Sequence, residues 1–250
     1  MNTVPENYTN LIKKNIETAL QDSTANPIAA FDADGTCWFS DVGRDFFQHQ
    51  IDKNFFVNES YTWDDYQREE DKDVKLGLFW LAEILAGFSL EEIRAFGEAY
   101  TKEVRPSFVE HQKEIIKFLI EKNVQVYIVT ASVKWTVEAA ALELGIPREN
   151  VIGVQTEIED GIITKKQKGY LSWHEGKVDA LLDHTNGKKP FFASGNTTSD
   201  IPLMKTSTHL RQVVRSVGPD SEIFSGESKA LAVAKEHGWH YLDFTKKEFF

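Results

Sequence analysis

Asp32-Ala33-Asp34-Gly35 sets two carboxylates one residue apart, directly after a short apolar run, Ile28 to Phe31. Such a pair suits two jobs at one centre, because one carboxylate attacks an electrophile or binds a metal while the other reaches the same substrate from the side. Gly35 allows the sharp turn this needs. Two further polar clusters follow apolar runs of the same kind. Thr130 and Ser132 come after Val124 to Val129, and Asn196 and Asp200 come after Phe191 to Ala193, in Gly195-Asn196-Thr197-Thr198-Ser199-Asp200. Hydroxyl and backbone N–H groups at Thr130 suit an oxyanion, a lysine at 177 neutralises one, and Asn196 with Asp200 offers hard oxygen ligands for Mg2+. Together these groups describe phosphoryl transfer through an aspartyl phosphate.

The elements that must bring these groups together alternate between strand and helix. A polar, helical N-terminal stretch is broken by Asn26 and Pro27, and Ile28 to Phe31 then reads as a strand stopped by a turn. Ser107 is expected to cap a helix through Lys122, which Asn123 stops before a buried strand, Val124 to Val129, ending at Thr130. A helix from Val133 to Leu144 ends at Gly145, and Val151 to Ile163 reads as a hairpin turning at Asp160-Gly161. A helix near Lys177 follows, then strands at Phe191 to Ala193, Leu210 to Val217 and Trp239 to Phe244. Alternation of this kind predicts a parallel sheet with helices on both faces, and ligands bind beyond the carboxyl ends of such strands. Between residues 41 and 105 the pattern is helical throughout, rich in aromatics, with no convincing strand.

These residues resemble the four ordered motifs of the haloacid dehalogenase superfamily: Asp32-Ala33-Asp34-Gly35-Thr36, Thr130 after its apolar strand, Lys177 in Gly176-Lys177, and Gly195-Asn196-x-x-x-Asp200. The nearest branch is the phosphoserine phosphatase-like one, and the resemblance covers nearly the whole chain. It implies an α/β fold with a Rossmann-like parallel sheet core, residues 1–40 and 106–250, and a helical cap inserted after the first strand, residues 41–105. By that resemblance Asp32 is the nucleophile and Asp34 the acid and base, Thr130 and neighbouring amides bind phosphate oxygens, and Lys177 bridges the phosphate and Asp32. Mg2+ is then held by Asp32, the Asp34 carbonyl and the fourth motif, Asn196 and Asp200. The second aspartate favours phosphate esters, since dehalogenase members lack it. Where this chain has Asn196 many relatives have aspartate. An amide oxygen still ligates Mg2+, without a charge. Asp200 then matters more, and Asn196→Asp is expected to preserve or tighten metal binding.

Blander readings stand beside these. Asp-x-Asp-Gly is a common turn and mimics a calcium loop, but that loop wants glycine sixth and here it is fourth. Ser132 reads best as a cap for the helix that follows it, Cys37 as a small packing residue, and His237 with His240 as a surface pair. Residues 41–105 hold 15 acids and eight bases, with 12 of the 30 aromatics. Acidic helices are mostly solvated faces and aromatics mostly core. The sharper reading is a pocket for a cation. Asp41, nine residues after Asp32, stands where the branch often has an acid that meets a substrate amine, and Arg44 offers a carboxylate site instead.

With 28 bases against 39 acids the formal net charge is −11, a field that repels nucleic acid. A single cysteine excludes an internal disulfide framework and any multi-Cys zinc site. No apolar run approaches the length of a membrane span and the N-terminus lacks the features of a signal peptide, so a cytoplasmic enzyme without a membrane or nucleic-acid partner is expected. The leading expectation is a Mg2+-dependent phosphatase of a small phosphomonoester, with a phosphorylated amine or amino acid of the phosphoserine, phosphocholine or phosphoethanolamine type as substrate. The alternatives are a phosphomutase sharing the aspartyl-phosphate step and a non-catalytic phosphate-binding protein.

Overall fold

The structure is a computed structural model that describes residues 4–22, 25–57 and 59–250. The chain forms, in order, α1 (Glu6–Gln21), β1 (Ile28–Phe31), α2 (Val42–Lys53), α3 (Trp63–Glu70), α4 (Val74–Glu83), α5 (Leu90–Val104) and α6 (Glu110–Glu121). Next come β2 (Gln125–Val133), α7 (Lys134–Glu143), β3 (Val151–Val154), β4 (Thr156–Glu159), β5 (Ile162–Gln167) and α8 (Glu175–His184). The last elements are β6 (Phe192–Gly195), α9 (Ile201–Thr206), β7 (Leu210–Arg215), α10 (Phe224–His237), β8 (His240–Asp243) and β9 (Glu248–Phe249).

β1 is buried at every position, as the central strand of a parallel sheet must be. The seven-stranded sheet runs β3-β2-β1-β6-β7-β8-β9, parallel throughout except for β9, which runs antiparallel to β8. Strand order reverses at β1, with β2 on one side and β6 on the other. Phe31 lies opposite Ile128 of β2 and Ser194 of β6, so the residues just beyond β1 open between the other two strands. Crevices at such reversal points are where open α/β sheets bind ligands.

Residues 41–105 fold into α2 to α5, with no strand among the described residues. Four of the acids there cap helices: Asp41 accepts from Arg44 N at 2.9 Å, Asp73 accepts from Lys75 N at 2.8 Å, and Asp65 and Glu92 close capping boxes with Thr62 and Ser89. The aromatics pack on one another. Phe55 stacks between Phe88 and Phe96, with centroids 4.5 and 3.9 Å away, and Phe47 meets Trp63 and Trp80 edge-on. These rings lie in or against the buried cluster that also contains Phe31. α5 is tied to α7 by Arg94, whose guanidinium donates twice to the buried Glu138 carboxylate, at 2.7 and 3.1 Å.

Three elements differ from the sequence expectation. The segment 151–163 is not one hairpin: β3 joins the main sheet beside β2, and only β4 and β5 pair as a hairpin, around Asp160 and Gly161, both at positive φ. That hairpin bonds to the helical segment, with Ile163 N–H donating to Phe88 O and Leu90 N–H to Gly161 O. β2 runs on past Thr130 to Val133, through a register shift between Val129 and Val133. Gly153 admits this, because a Cβ there would stand 2.7 Å from Ser132 O. Ser107 does not cap α6. Its carbonyl accepts from Phe39 N–H and Phe108 bridges to Trp38, so the chain stays extended until Val109.

Between α1, α6 and β7, His111 is buried with Thr9 Oγ1 2.9 Å from Nδ1 and Gln212 Nε2 2.9 Å from Nε2. Burial, helped by the charges of Lys13 and His240, pushes its pKa down to about 3. An unfolded histidine titrates near 6.5, so the unfolded chain takes up the proton first as pH falls. Stability is therefore lost from about pH 6.5 downward, by up to about 1.4 kcal/mol per pH unit. His111→Gln is expected to flatten that slope in urea unfolding at pH 7 and pH 5, and an unchanged slope would refute the neutral imidazole.

Candidate active site

Asp32 follows β1 directly, and its N–H donates to Ser194 O of β6 at 2.9 Å. Its carboxylate accepts from Lys177 Nζ at Oδ1 (2.5 Å) and from Thr36 Oγ1 at Oδ2 (2.9 Å). The same ammonium donates to Asp200 Oδ1 at 2.6 Å, and Lys177 and Asp200 are each only 1% exposed. Burial opposes the charge on Lys177, but Asp200 and Asp32 outweigh it and push its pKa up. Burial and then the Asp200 charge push Asp32 up as well, with Lys177 working the other way. Lys177 reaches this position because α8 begins tightly against the preceding loop. A Cβ on Gly176 would stand 1.8 Å from Leu171 O, so that approach requires glycine. Ser172, in the same loop, donates to Thr130 O at 2.5 Å.

Asp34 is held by three donors. Trp38 Nε1–H and Val42 N–H both donate to Oδ1 at 2.7 Å, and Ser132 Oγ–H donates to Oδ2 at 2.7 Å. Burial first, then the charge of Asp41, pushes its pKa up to about 7 against those hydrogen bonds. Oδ1 is doubly engaged, which leaves Oδ2 the oxygen with room for a proton. Thr130 is buried, and its Oγ1 accepts from Ser132 N–H at 3.0 Å.

Asp200 closes its own loop through Oδ2, which accepts from the N–H groups of Asn196 and Thr197 at 3.1 and 2.9 Å. The Asn196 amide lies against Gly35, where φ is +76° and a Cβ would stand 2.0 Å from Nδ2. That Nδ2 donates to Glu227 Oε1 at 3.2 Å. Contacts thus run without a break from Asp32 through Lys177 and Asp200 to Asn196 and Gly35, and from Asp34 through Ser132 to Thr130. Asp41 stands one residue before Val42, at the mouth of this group, with one oxygen capping α2. Arg44 is turned elsewhere. Its guanidinium pairs with Glu222 at 3.2 Å and Glu70 at 4.0 Å, and lies 5.6 and 5.5 Å from the rings of Trp63 and Tyr66.

Ser132 does not cap α7, whose N-cap is Val133 with no side-chain bond; it holds Asp34 instead. Trp38, Ser172 and Glu227 also escaped the sequence reading, and Thr36, quoted in the first motif, was given no role there. A signal existed for Glu227, which shares the buried stripe of α10 with Ala230, Leu231 and Ala234, where an acid needs partners. Cys37 is buried, with its S–H directed at Asp32 O at 3.2 Å, and burial with the neighbouring carboxylates pushes its pKa up. It is no thiolate.

Asp32, Asp200, Asn196 and the Asp34 carbonyl offer oxygen only, the donor type that suits Mg2+ rather than zinc. No group of three or more His, Cys, Asp or Glu side chains is placed to hold a metal among the described residues. A cation here therefore needs amide or carbonyl oxygen beside the carboxylates. Asp32, Asp34 and Asp200 against Lys177 sum to −2 when all are ionised, a balance that fits a divalent cation.

No curated protein matches the chain. Among solved structures it is similar to a protein of unknown function from Bordetella pertussis Tohama I, 20% identical, with 88% of this chain and 100% of that one covered and a TM-score of 0.70. It is also similar to a conserved, functionally unknown protein from Anaerococcus prevotii DSM 20548 (16% identical, 94% of each chain, TM-score 0.68). A substrate-bound phosphoserine phosphatase shares the fold at 14% identity, over 84% of this chain and 99% of that one, with a TM-score of 0.50. The family described as haloacid dehalogenase-like hydrolase matches residues 29–205, a span from β1 to α9 that contains all four polar clusters in order. The chain belongs to the haloacid dehalogenase-like hydrolases.

Proposed function

We propose that the protein is a Mg2+-dependent phosphatase that hydrolyses a small phosphomonoester through an aspartyl phosphate on Asp32. The observation that carries this is Lys177, buried and shared between Asp32 and Asp200 at 2.5 and 2.6 Å, beside an Asp34 fixed by three donors. One ammonium spanning two carboxylates leaves a site that attracts cations and is still able to neutralise phosphate oxygens. Mg2+ held by Asp32, the Asp34 carbonyl, Asn196 and Asp200 would supply charge neutralisation for the phosphoryl group. Asp32 forms the bond to phosphorus while Asp34 gives the Oδ2 proton to the departing alcohol oxygen. Asp34 then takes a proton from water, which attacks the acyl phosphate and frees Asp32. The Thr130 hydroxyl and nearby N–H groups bind phosphate oxygens, and α2 to α5 with the β4–β5 hairpin form the cap that excludes bulk water.

Asp34→Asn is expected to lower kcat/KM, which reads the step that expels the alcohol, by roughly 10²–10⁴-fold for alkyl phosphates and far less for nitrophenyl phosphate, whose leaving group needs no proton. Ser132→Ala should show the same leaving-group pattern at roughly tenfold, the worth of one good hydrogen bond. Equal losses of kcat/KM on both esters would remove Asp34 from protonation of the leaving group.

For the substrate we propose a phosphorylated amino alcohol or amino acid, whose leaving group carries the amine. Asp41 supports this, since its second oxygen takes no hydrogen bond from the described residues and its charge is felt at Asp34. Of the other acids of this segment named above, Asp65, Asp73 and Glu92 hold helix ends and Glu70 pairs with Arg44, whose guanidinium Trp63 and Tyr66 already face. Asp41→Asn is a clean test because asparagine caps a helix as well as aspartate does. Inorganic phosphate release is measured over phosphorylated amines, amino acids, sugars and nucleotides, with Mg2+ and with chelator. The expected result is Mg2+-dependent release that favours amines, a preference Asp41→Asn erodes. No release from any ester overturns the phosphatase; phosphoryl transfer without release identifies a mutase; equal rates on amines and neutral sugars discard the amine.

A further inference from the structure

Glu227 is fully buried in α10, and its carboxylate accepts every hydrogen bond it makes. Oε2 takes the N–H groups of Ser216 and Val217 at 2.9 and 3.0 Å, and Oε1 takes Ser216 Oγ–H and Asn196 Nδ2–H, both at 3.2 Å. Burial pushes the Glu227 pKa up, and the four donors around its carboxylate work the other way, toward the ionised form that accepts at both oxygens. Asn196 is 3% exposed and wedged against Gly35, and its Oδ1 takes no hydrogen bond from the described residues. An asparagine side chain turns over with little change of shape, so only its partners decide which end points where. Here the one partner is an acceptor, which selects the nitrogen and leaves the oxygen free.

We infer that Glu227 is a positioning residue that fixes the Asn196 amide with its nitrogen bound and its oxygen presented as a metal ligand, so that a charge missing at 196 is carried instead at 227. This rests on the Mg2+ reading above. It reverses the sequence expectation for Asn196→Asp, because a carboxylate at 196 faces the Glu227 carboxylate across the place where a hydrogen bond was. Two buried carboxylates in that place repel each other unless one takes up a proton, and either way the donor that Glu227 had is gone.

The test reverses the polarity of that bond. In Glu227→Gln the carbonyl oxygen can keep the Ser216 and Val217 N–H groups while the new NH2 faces Asn196, which must turn its oxygen inward and its nitrogen outward. Mg2+ affinity, titrated calorimetrically with MgCl2 alone on the purified full chain, should fall tenfold or more, as for other residues that orient a metal ligand. Asn196→Asp should lower Tm in chelator. The double variant Asn196→Asp/Glu227→Gln restores a matched donor and acceptor, so it should recover Mg2+ affinity relative to Glu227→Gln and Tm relative to Asn196→Asp. Glu227→Gln with unchanged Mg2+ affinity, or a double variant with a Tm no better than the sum of the two singles, would overturn the inference and leave Glu227 a cap for the 216–217 turn. A wild-type chain that binds no Mg2+ sinks the metal reading, and the Tm comparison in chelator then decides on its own whether the pair is coupled.

Discussion

Asp32→Asn is expected to fold, to bind phosphate esters and to turn over none of them at a useful rate. The substitution keeps the shape of the side chain. Its amide oxygen can take the Lys177 hydrogen bond and its nitrogen can donate to the Thr36 hydroxyl, which accepts as readily as it donates. What is lost is the charged oxygen that forms the bond to phosphorus. An amide cannot make the acyl phosphate, so kcat should fall on the order of 10⁴-fold or more, with KM changed little. Lys177 keeps Asp200 as a partner, so Tm should move by only a few degrees. Near wild-type kcat in a preparation free of contaminating phosphatase would show that another group attacks, and the aspartyl-phosphate mechanism would be wrong. Loss of activity with a collapsed Tm would be uninformative alone; circular dichroism and phosphate-analogue binding on the same sample separate the two cases.

The candidate site was largely legible because its residues sit where strands stop. Asp32, Thr130 and Asn196 each follow or fall within a short apolar run, and parallel pairing of β1, β2 and β6 carries those positions to one edge. Lys177 was legible only from its place in the order of motifs, since nothing in its local sequence says that it is buried. The parts that were not legible depend on tertiary geometry. Ser132 looked like a helix cap because the extension of β2 past Thr130 relies on Gly153 of the neighbouring strand β3, a contact no short window of sequence contains. Trp38 drew no reading at all: its ring is buried, yet its N–H is one of the donors that aim Asp34. The acids of residues 41–105 divide in a way that their number does not show. Ser89-x-x-Glu92 is a readable capping signature, but a net count of charge hides it, and the segment's acidity is partly helix-end chemistry rather than a pocket. The hairpin was placed correctly at its turn and wrongly at its start, because Val151 to Val154 is apolar enough for either a hairpin arm or a buried parallel strand, and length alone does not separate them.

Lys177→Met should damage stability and turnover together, and the way stability then depends on pH identifies the cause. Methionine fills much of the volume but supplies no charge, leaving Asp32 and Asp200 buried without the ammonium that lies 2.5 and 2.6 Å from them. Removing one member of a buried ionic group costs about 3–5 kcal/mol, which for a chain of this size lowers Tm by roughly 6–20 °C at about 2–4 °C per kcal/mol. Burial and the Asp200 charge already hold the Asp32 pKa above its unfolded value, and without the lysine, which works the other way, it rises further. A group raised in this way loses stability as pH climbs past its unfolded pKa, because the unfolded chain ionises first. The variant should therefore be relatively more stable at pH 5 than at pH 7.5, compared with wild type. Arginine should not rescue it, since the position is 1% exposed and a planar guanidinium cannot replace a compact ammonium between two close carboxylates. A Lys177→Met protein that matched wild type in Tm from pH 5 to pH 8 and kept turnover within tenfold would show that the lysine is a bystander, and the electrostatic case for phosphoryl transfer at this site would fall with it.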